Sequence, residues 1–585
     1  MRDDRRLHRI SAVGIAVMTT LIITGAIAAM RRPVGVAEAR GAALDSVAGV
    51  PSRGADVEQR SQGARSAAAI VVQFDGLGIG FVGPQGAGRS GNPSDNSLAV
   101  GPNHIMQTVN SRMAIFTKKG AMFDSTGKVL YGAVSTNNVF KGFTGACETR
   151  NNGDAVVRYD QLADRWLIVM PIFSRENARP DQPTPRTARD PAEASVAGVA
   201  GQPGAAMPLY QPPPALEPTT PVPPGQGGRG AGRPPEDPKG VYAMCYAVSA
   251  SPDPLGAYYR YEFLRALFPD YPRPAIWPDG YYVPTSTSDD RISPSVATQK
   301  HACVADRAKM LAGKPATEQC VIVENVNFLN NADIDGKALP PAGAPNIMMA
   351  AGGRQLDTLL ADSVINVWQF HVDWKEPAKT KVTGPVAIAV APYHYLCGGQ
   401  LSNCVPQPGT ERRLDAQGDK LMARLAYRRI GNRESIVATH SINTSSGGGG
   451  VRWYEFRVGA DRKVRLHQQG TYAPDSLFRW MASAAMDKFG SIGIGYSFGG
   501  LPHYPGQRFA GRLANDPLGQ LTLRETVLAE GGASQANTLR WQDYTQTAID
   551  PSDDCTIWYV GDYLKKDATA YSTKIGAFRM PGCQK

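Results

Sequence analysis

Residues 246–256 read YAVSASPDPLG, and residues 509–519 read FAGRLANDPLG. Each stretch begins as a short apolar strand and continues into an Asp-Pro-Leu-Gly turn, at Asp253–Gly256 and at Asp516–Gly519. Proline fixes φ and glycine readily adopts turn conformations, so both stretches predict a hairpin. The hairpins lie far apart in the chain, which indicates equivalent positions in different copies of one repeated unit.

Short strand-like runs separated by turn residues fill most of the remaining chain. An alternating strand recurs at Met113–Phe116, Trp368–Val372, Trp453–Phe456 and Ile575–Phe578. Such spacing favours an all-β sandwich, barrel or propeller, and the repeats favour the propeller. We predict a single all-β propeller of six or seven four-stranded blades, with seven favoured. The main rival is a β-helix, which would show a shorter and stricter period.

The chain divides into segments of different composition. Residues 1–39 combine a basic start, Arg2–Arg9, with the uncharged run Ile10–Met30, as in a cleaved export signal or an uncleaved membrane anchor. Both readings stay open at this point. We expect a flexible linker at 40–69 and the propeller at 70–585. The Pro/Gly-rich stretch 175–239 cannot bury enough apolar surface to fold, so it predicts a disordered inserted loop.

Cysteine usage agrees with export. The chain has eight cysteines, an even number, and no CxxC pair, which favours disulfides over a zinc site. Pairing near neighbours predicts three disulfides, and elimination predicts the fourth: Cys303–Cys320, Cys397–Cys404, Cys555–Cys583 and Cys147–Cys245.

Charge says little about partners. The net charge is +10, but several arginines lie at the extreme N-terminus and no run of Lys/Arg resembles a nucleic-acid-binding arm. We therefore expect no nucleic-acid partner, contact with a membrane only through the N-terminal segment, and a monomer. A carbohydrate or a cell-surface protein remains as the expected partner.

Several motifs resemble those of one family of exported bacterial proteins. They are Asp95–Ile105, Gly153–Asp154, Tyr159–Trp166, Phe268–Pro272, Trp277–Tyr281, Arg424–Tyr427, Trp541–Tyr544 and Asp550–Tyr559. The resemblance covers roughly residues 90 to 583, apart from the Pro/Gly-rich stretch. It implies a propeller-like fold and an extracytoplasmic location, and it implies no established activity.

A repeated aspartate is the strongest candidate for a functional site. Each aspartate of the set begins a predicted innermost strand, so all should meet at one mouth of the central channel: Asp95, Asp154, Asp270, Asp419 and Asp543. A ring of carboxylates binds Ca²⁺ or a polyol through oxygen ligands. It also supplies the paired carboxylates of glycoside hydrolysis. Alternatively, each aspartate caps its own turn. We add His440, beside a predicted inner strand, as a further candidate.

These residues leave two functional hypotheses open. The first is a ligand-binding or interaction module, with Ca²⁺ as a candidate ion. The second is a glycoside hydrolase or polysaccharide lyase that uses the channel-mouth carboxylates, or a base beside a neutralising arginine. Fold alone does not separate them, because propellers host both functions.

Overall fold

The computed structural model describes residues 55–88, 91–173, 207–209, 211, 242–265, 268–285, 299–324, 326, 328–352, 362–399 and 403–583. All of them belong to one compact unit, Ala48–Lys585. The predicted export segment and residues 40–54 of the predicted linker lie outside the described residues. So does the predicted inserted loop, except for residues 207–209 and 211.

The described chain is built mainly from four-stranded antiparallel units that follow one another in sequence, and two of these units are joined by a parallel strand pair into one larger sheet. It begins with β1 (Glu58–Gln59), β2 (Ala69–Gly78), β3 (Val82–Gly83) and β4 (Gly86–Ala87). The first complete unit is β5 (Ser97–Val100), β6 (His104–Val109), β7 (Arg112–Thr117) and β8 (Val129–Ser135). The second has β9 (Val156–Asp160), β10 (Arg165–Ile172), the two-residue edge strand β11 (Met207–Pro208), β12 (Tyr242–Ser249) and β13 (Ala257–Arg265).

The next two units and a separate hairpin occupy the middle of the chain. The third unit is β14 (Ala275–Trp277), β15 (Gly280–Tyr282), β16 (Gln299–Ala305) and β17 (Glu318–Glu324). The fourth is β18 (Asn330–Asp335), β19 (Asn346–Ala351), β20 (Asp362–His371) and β21 (Lys381–Tyr393). A hairpin of β22 (Asn403–Gln407) and β23 (Thr410–Asp415) follows it.

Three further units complete the fold. One contains β24 (Leu425–Ile430), β25 (Arg433–Asn443), β26 (Gly449–Val458) and β27 (Val464–Tyr472). The next contains β28 (Phe478–Met486), β29 (Ile492–Gly500), β30 (His503–Arg512) and β31 (Thr526–Ala529). The last contains β32 (Gln546–Ile549), β33 (Thr556–Tyr563) and β34 (Ser572–Arg579). The last unit takes β2 as its fourth strand, because β2 pairs antiparallel with β34.

Helices are short and lie in connections. They are α1 (Ala146–Thr149), α2 (Arg307–Leu311) and single 3₁₀ turns at Ala55–Val57, Thr136–Phe140, Pro377–Lys379 and Leu396–Gly398. No helix within the described ranges is long and apolar enough to cross a membrane.

The hydrophobic core lies between successive sheets. Met106 of the first unit and Ile168 of the second share one buried cluster, and Val437 and Ile494 share another between later units. The circle closes where Val560 of β33 packs with Ile105 of β6. Sheets that pack face to face around a closed circle make a β-propeller, as predicted. The blade number stays a prediction.

The two Asp-Pro-Leu-Gly hairpins occupy equivalent positions. The first joins β12 to β13 and the second joins β30 to β31, which are the third and fourth strands of their units. The sequence repeat that predicted the fold is therefore a repeat in the structure.

All four disulfides are present with the predicted pairing: Cys147–Cys245, Cys303–Cys320, Cys397–Cys404 and Cys555–Cys583. Disulfides persist in oxidising compartments, so they indicate an extracellular or periplasmic protein.

Part of the predicted linker is packed instead of free. Glu58 and Gln59 pair as a parallel strand with β27, and Arg65 forms a bridge with Leu523 and an ion pair with Asp516 at 2.9 Å. This segment follows the outer strands because its backbone groups find partners there. Residues 55–69 therefore belong to the folded domain.

Candidate functional site at the channel mouth

The loops that lead into the inner strands share an uncommon backbone conformation. Asp95 before β5 has a φ of 50°, and Asp154 before β9 has a φ of 54°. Tyr271 before β14 and Asp543 before β32 have φ values of 55° and 63°. Aspartate tolerates this left-handed region better than most residues, whereas a bulky tyrosine adopts it rarely. The chain therefore enters the inner strand of several units through a similar backbone turn.

These loops bring the predicted aspartates together. The carboxyls of Asp95 and Asp154 are in hydrogen-bonding contact, and Asp154 contacts Asp270 in the same way. Asp543 is close enough to act electrostatically on Asp95 and Asp154. Asp419 lies beside Lys420, with Oδ1 3.1 Å from Nζ. We call the five aspartates, with Tyr271 and Tyr544, the channel-mouth site.

Burial changes the protonation of this group. Loss of solvent raises the pKa of Asp95 well above its usual value, and the charges of Asp154 and Asp543 raise it further. Loss of solvent likewise raises the pKa of Asp154, with Asp270 adding to the effect. Like charges this close do not all ionise together, so the hydrogen-bonded pair of Asp95 and Asp154 retains a proton more readily than isolated carboxyls do. It therefore offers both hydrogen-bond donors and acceptors.

Neighbouring side chains fix the carboxyls in place. Asn110 Nδ2 donates to Asp95 Oδ2 at 2.6 Å, and the Asp95 backbone N–H donates to Gln542 O at 2.8 Å. Asp543 accepts from Gln417 Nε2 at 3.0 Å and pairs with Arg540. Burial raises the pKa of Asp543, and Arg540 opposes this rise. The site is thus held by contacts between several units.

Tyr544 places a hydroxyl among these carboxyls. Its side chain is 2% exposed, and its hydroxyl has no hydrogen-bond partner in the described part of the chain. Burial raises its pKa well above the usual value, and the charges of Asp95 and Asp154 add to the rise. The hydroxyl stays protonated, so it can donate to a bound molecule and accept from it. Buried polar groups normally have a partner, so this hydroxyl marks a place for a ligand or a water molecule.

A basic side faces the acidic one. Lys420 Nζ lies 4.0 Å from the centre of the Phe328 ring, and Lys300 Nζ lies 5.3 Å from it. The Arg273 guanidinium lies 4.1 Å from the centre of the Tyr271 ring. The mouth thus holds cations as well as carboxyls, and the cations lie against a few aromatic rings.

Access to the site is limited but present. The hairpin β22–β23 covers part of the mouth, since Val405 and Leu414 share an apolar cluster with Tyr271 and Tyr544. Asp154 and Asp270 remain partly exposed. The acidic side is therefore in contact with solvent along the edge that these two residues form.

His440 is a correction to the predicted site. The structure places it within β25, fully buried, with Nε2 2.9 Å from the Tyr454 hydroxyl and its ring against Tyr393. Burial lowers its pKa well below the usual value, and Arg452 lowers it further. It is a neutral core histidine, because its position in the second strand of the unit points it between sheets.

The aspartates do not form a compact cation cage. Among the described residues, the one group of three metal-type ligands within 4.8 Å of one another is Cys303, Glu318 and Cys320. Those cysteines are disulfide-bonded, and Glu318 pairs with Arg265 at 2.7 Å. A Ca²⁺ ion at the channel mouth would thus need the carboxyls to move closer together.

A separate small polar cavity of about 20 Å³ lies among the inner strands. Its walls include Asp333, which lies 2.8 Å from Arg424 Nε and 3.2 Å from Arg158 Nε, and Asp335, 2.7 Å from Arg424 Nη2. These two carboxylates and two guanidiniums compensate one another. The inner strands carry them, so they join units across the channel.

The aspartates stood out in the sequence as candidates, but their neighbours in the structure did not. Tyr271 and Tyr544 directly follow Asp270 and Asp543, so a repeated Asp-Tyr pair was a usable signal. Lys300 and Arg273 belong to no repeat. Only the tertiary structure brings them to the mouth.

Comparison with known proteins leaves the chain without a family. No protein-family model matches it, and no curated protein matches it. Among solved structures it is similar to a polysaccharide lyase of family PL25, an ulvan lyase bound to a GlcA–Rha3S saccharide, at 9% identity and a TM-score of 0.36, covering 88% of this chain and 96% of that one.

Two further solved structures show the same weak likeness. The intramolecular trans-sialidase of Ruminococcus gnavus, in complex with oseltamivir carboxylate, has 9% identity and a TM-score of 0.33, covering 74% of this chain and 94% of that one. The polysaccharide lyase Uly1 has 10% identity and a TM-score of 0.32, covering 89% and 99%. Likeness at this level carries no argument about activity, so the functional case rests on the site itself.

Proposed function

We propose that this protein is an extracytoplasmic binding module that holds a polyhydroxylated ligand, a carbohydrate, at the channel-mouth site. The observation that carries the proposal is the pair of hydrogen-bonded carboxyls, Asp95 and Asp154, beside the Tyr544 hydroxyl, which has no partner among the described residues. Sugar hydroxyls both donate and accept, and such a site offers both kinds of partner. Tyr271 adds an aromatic face next to the carboxyls.

The test is the Tyr544→Phe variant in a thermal-shift screen of the folded protein against neutral and acidic polysaccharides and Ca²⁺. A ligand that binds the folded state raises Tm. We expect Tyr544→Phe to keep the Tm of the free protein, because the lost hydroxyl has no partner, and to reduce the ligand-induced shift by half or more.

Tyr472→Phe is the matched control. Its hydroxyl is also buried without a hydrogen-bond partner, but it lies on β27, near Glu525 and Arg479. It should leave every ligand-induced shift unchanged. A flat screen for the unmodified protein, or equal shifts in both variants, would remove the proposal.

A carbohydrate-cleaving enzyme is the second candidate. Asp95 and Asp154 are hydrogen-bonded carboxyls with raised pKa values, so one can donate a proton while the other accepts one. They lie closer together than the paired carboxyls of glycoside hydrolases, so they favour a lyase-type proton transfer over hydrolysis. Incubation with any polysaccharide that raises Tm decides between the two functions. New reducing ends that disappear in Asp154→Asn support the enzyme, and an intact polymer supports the binding module.

A further inference from the structure

Arg273 is a buried cation with unused hydrogen-bonding capacity. Its side chain is 4% exposed, and its Nη1 donates to the Leu329 carbonyl at 2.8 Å. By geometry its Nε and Nη2 reach no well-aligned acceptor among the residues that the structure describes, and the nearby Tyr271 hydroxyl is the one side-chain oxygen that acts on the guanidinium at hydrogen-bonding range. Together, Nε and Nη2 form the edge of a guanidinium that binds an oxyanion through two parallel hydrogen bonds.

Two aromatic rings hold this guanidinium. Its central carbon lies 4.1 Å from the centre of the Tyr271 ring and 4.9 Å from that of Phe328. Tyr271 is itself anchored, because its hydroxyl donates to Asp543 O at 2.6 Å. Arg273 is therefore held rigidly before any ligand arrives, which lowers the entropic cost of binding.

Two lysines share the same rings. Lys420 Nζ lies 4.9 Å from the Tyr271 ring centre, and Lys300 lies beside Phe328. The charged groups that face Lys300 are Arg273, Lys420, Asp419 and Asp270. Burial lowers the pKa of Lys300 to about 7, and the charge of Arg273 adds to this effect.

Three cations are crowded together at this position. They face the carboxyls of Asp419 and Asp270, and Lys420 also faces Asp543, which is paired with Arg540, and Asp415, whose pKa burial raises to about 7. An added anion would relieve the repulsion among the cations, because charges interact strongly where water is excluded. The same anion would supply the acceptors that Arg273 lacks.

We propose that Arg273, Lys300 and Lys420 form an anion subsite that binds an oxyanion group of the ligand, either a carboxylate or a sulfate ester. Arg273 makes the paired hydrogen bonds, and the lysines supply charge. The inference rests on the proposed function, since it gives that carbohydrate ligand an acidic group and orients it. The hydroxyl groups of the ligand then face the carboxyls across the mouth.

The experiment measures binding of small anions to the whole folded protein at pH 6 and constant ionic strength. The probes are D-glucuronate for the carboxylate, sodium sulfate for the sulfate group and neutral D-glucose as the reference, each followed by thermal shift and calorimetry. We expect glucuronate or sulfate to bind at least tenfold more tightly than glucose. The anion with the higher affinity then identifies the anionic group of the ligand as a carboxylate or a sulfate.

Arg273→Lys is the informative variant, because it keeps the charge and removes the paired donors. We expect it to weaken anion binding at least tenfold, whereas Arg465→Gln, at an exposed arginine paired with Asp461, should have no effect. If Arg273→Lys does not fold, the unmodified protein still decides. Its anion affinity should fall at least threefold from pH 6 to pH 8, as Lys300 loses its proton.

Each outcome separates this inference from the proposed function. Polysaccharide binding without any preference for anions would overturn the subsite and keep the binding module. Unchanged anion affinity in Arg273→Lys would overturn it as well. Binding of glucuronate or sulfate that depends on Arg273, with no polysaccharide bound, would keep the subsite and overturn the module. No binding at all would mean that water satisfies Arg273.

Discussion

At the scale of single residues, buried carboxyls dominate this protein. Asp562 in β33 is fully buried, and burial raises its pKa to about 7. One of its oxygens accepts from Asn96, and the other has no hydrogen-bond partner within the described ranges. The pKa of this carboxyl in the unfolded chain is near 3.8. Between pH 4 and pH 7, folding is therefore accompanied by the uptake of a proton at Asp562.

The sign of this linkage gives a prediction for Asp562→Asn. The unfolded state ionises first as pH rises, so the unmodified protein loses stability from about pH 4 to pH 7 and then stays level. Asparagine does not ionise, so Asp562→Asn does not lose stability in this way. We expect the stability of Asp562→Asn, relative to the unmodified protein, to increase over that range, as measured by urea unfolding at pH 4, 5.5, 7 and 8.5.

Asp75→Asn is the control of opposite sign. Burial acts to raise the pKa of Asp75, but its contacts with Lys565 and Lys574 outweigh this and lower it. Its ionised form therefore stabilises the fold, and Asp75→Asn should lose stability relative to the unmodified protein as pH rises. A pH-independent difference for Asp562→Asn would show that this carboxyl is not protonated in the folded state.

At the scale of elements, the disulfides tie loops of very different length. Cys147–Cys245 links α1 to β12 over a separation of 98 residues, and the Pro/Gly-rich stretch 175–239 lies within that loop. Cys397–Cys404 closes a separation of 7 residues beside the hairpin β22–β23. A cross-link restricts the unfolded chain more when the loop it closes is longer.

Removing one disulfide or the other should therefore lower the free energy of unfolding by different amounts. Chain-entropy arguments give about 4.7 kcal/mol for a loop of about 100 residues and about 3 kcal/mol for one of about 15. We expect the Cys147→Ala/Cys245→Ala variant to lose more free energy of unfolding than Cys397→Ala/Cys404→Ala, in urea titrations under oxidising conditions. The reverse order would mean that the hairpin disulfide stabilises the folded state directly.

At the scale of the whole molecule, the ring is closed by joining the two ends of the domain. The N-terminal strand β2 pairs with the C-terminal strand β34, and β2 places Phe74 5.2 Å from Phe116 of the first unit. Leu77 is fully buried in the same cluster. An open ring would expose a sheet edge and this cluster to solvent.

Truncation tests the closure. A variant that begins at residue 79 lacks β2, and we expect it to lose on the order of 5 kcal/mol from apolar burial and strand hydrogen bonds. A variant that begins at residue 68 lacks β1 and the Arg65–Asp516 pair but keeps β2, so its loss should be much smaller. Equal melting temperatures of the two variants would show that β2 does not close the ring.

The sequence by itself determined the all-β propeller fold and the disulfide partners, and it singled out the five aspartates as candidates, because each depends on local signals. Turn residues, near-neighbour cysteines and a residue repeated at strand starts are visible along the chain. The site was only partly predictable for the same reason: Asp95 and Asp154 repeat with the strands, whereas Arg273 and Lys300 do not.

Only the tertiary structure decided the rest. It buried His440 between sheets, packed residues 55–69 along the outer strands, and brought Tyr544 and Arg273 to the same Tyr271 ring. These facts depend on which units become neighbours when the ring closes. Contacts between residues hundreds of positions apart leave no period in the sequence, because each pair occurs once.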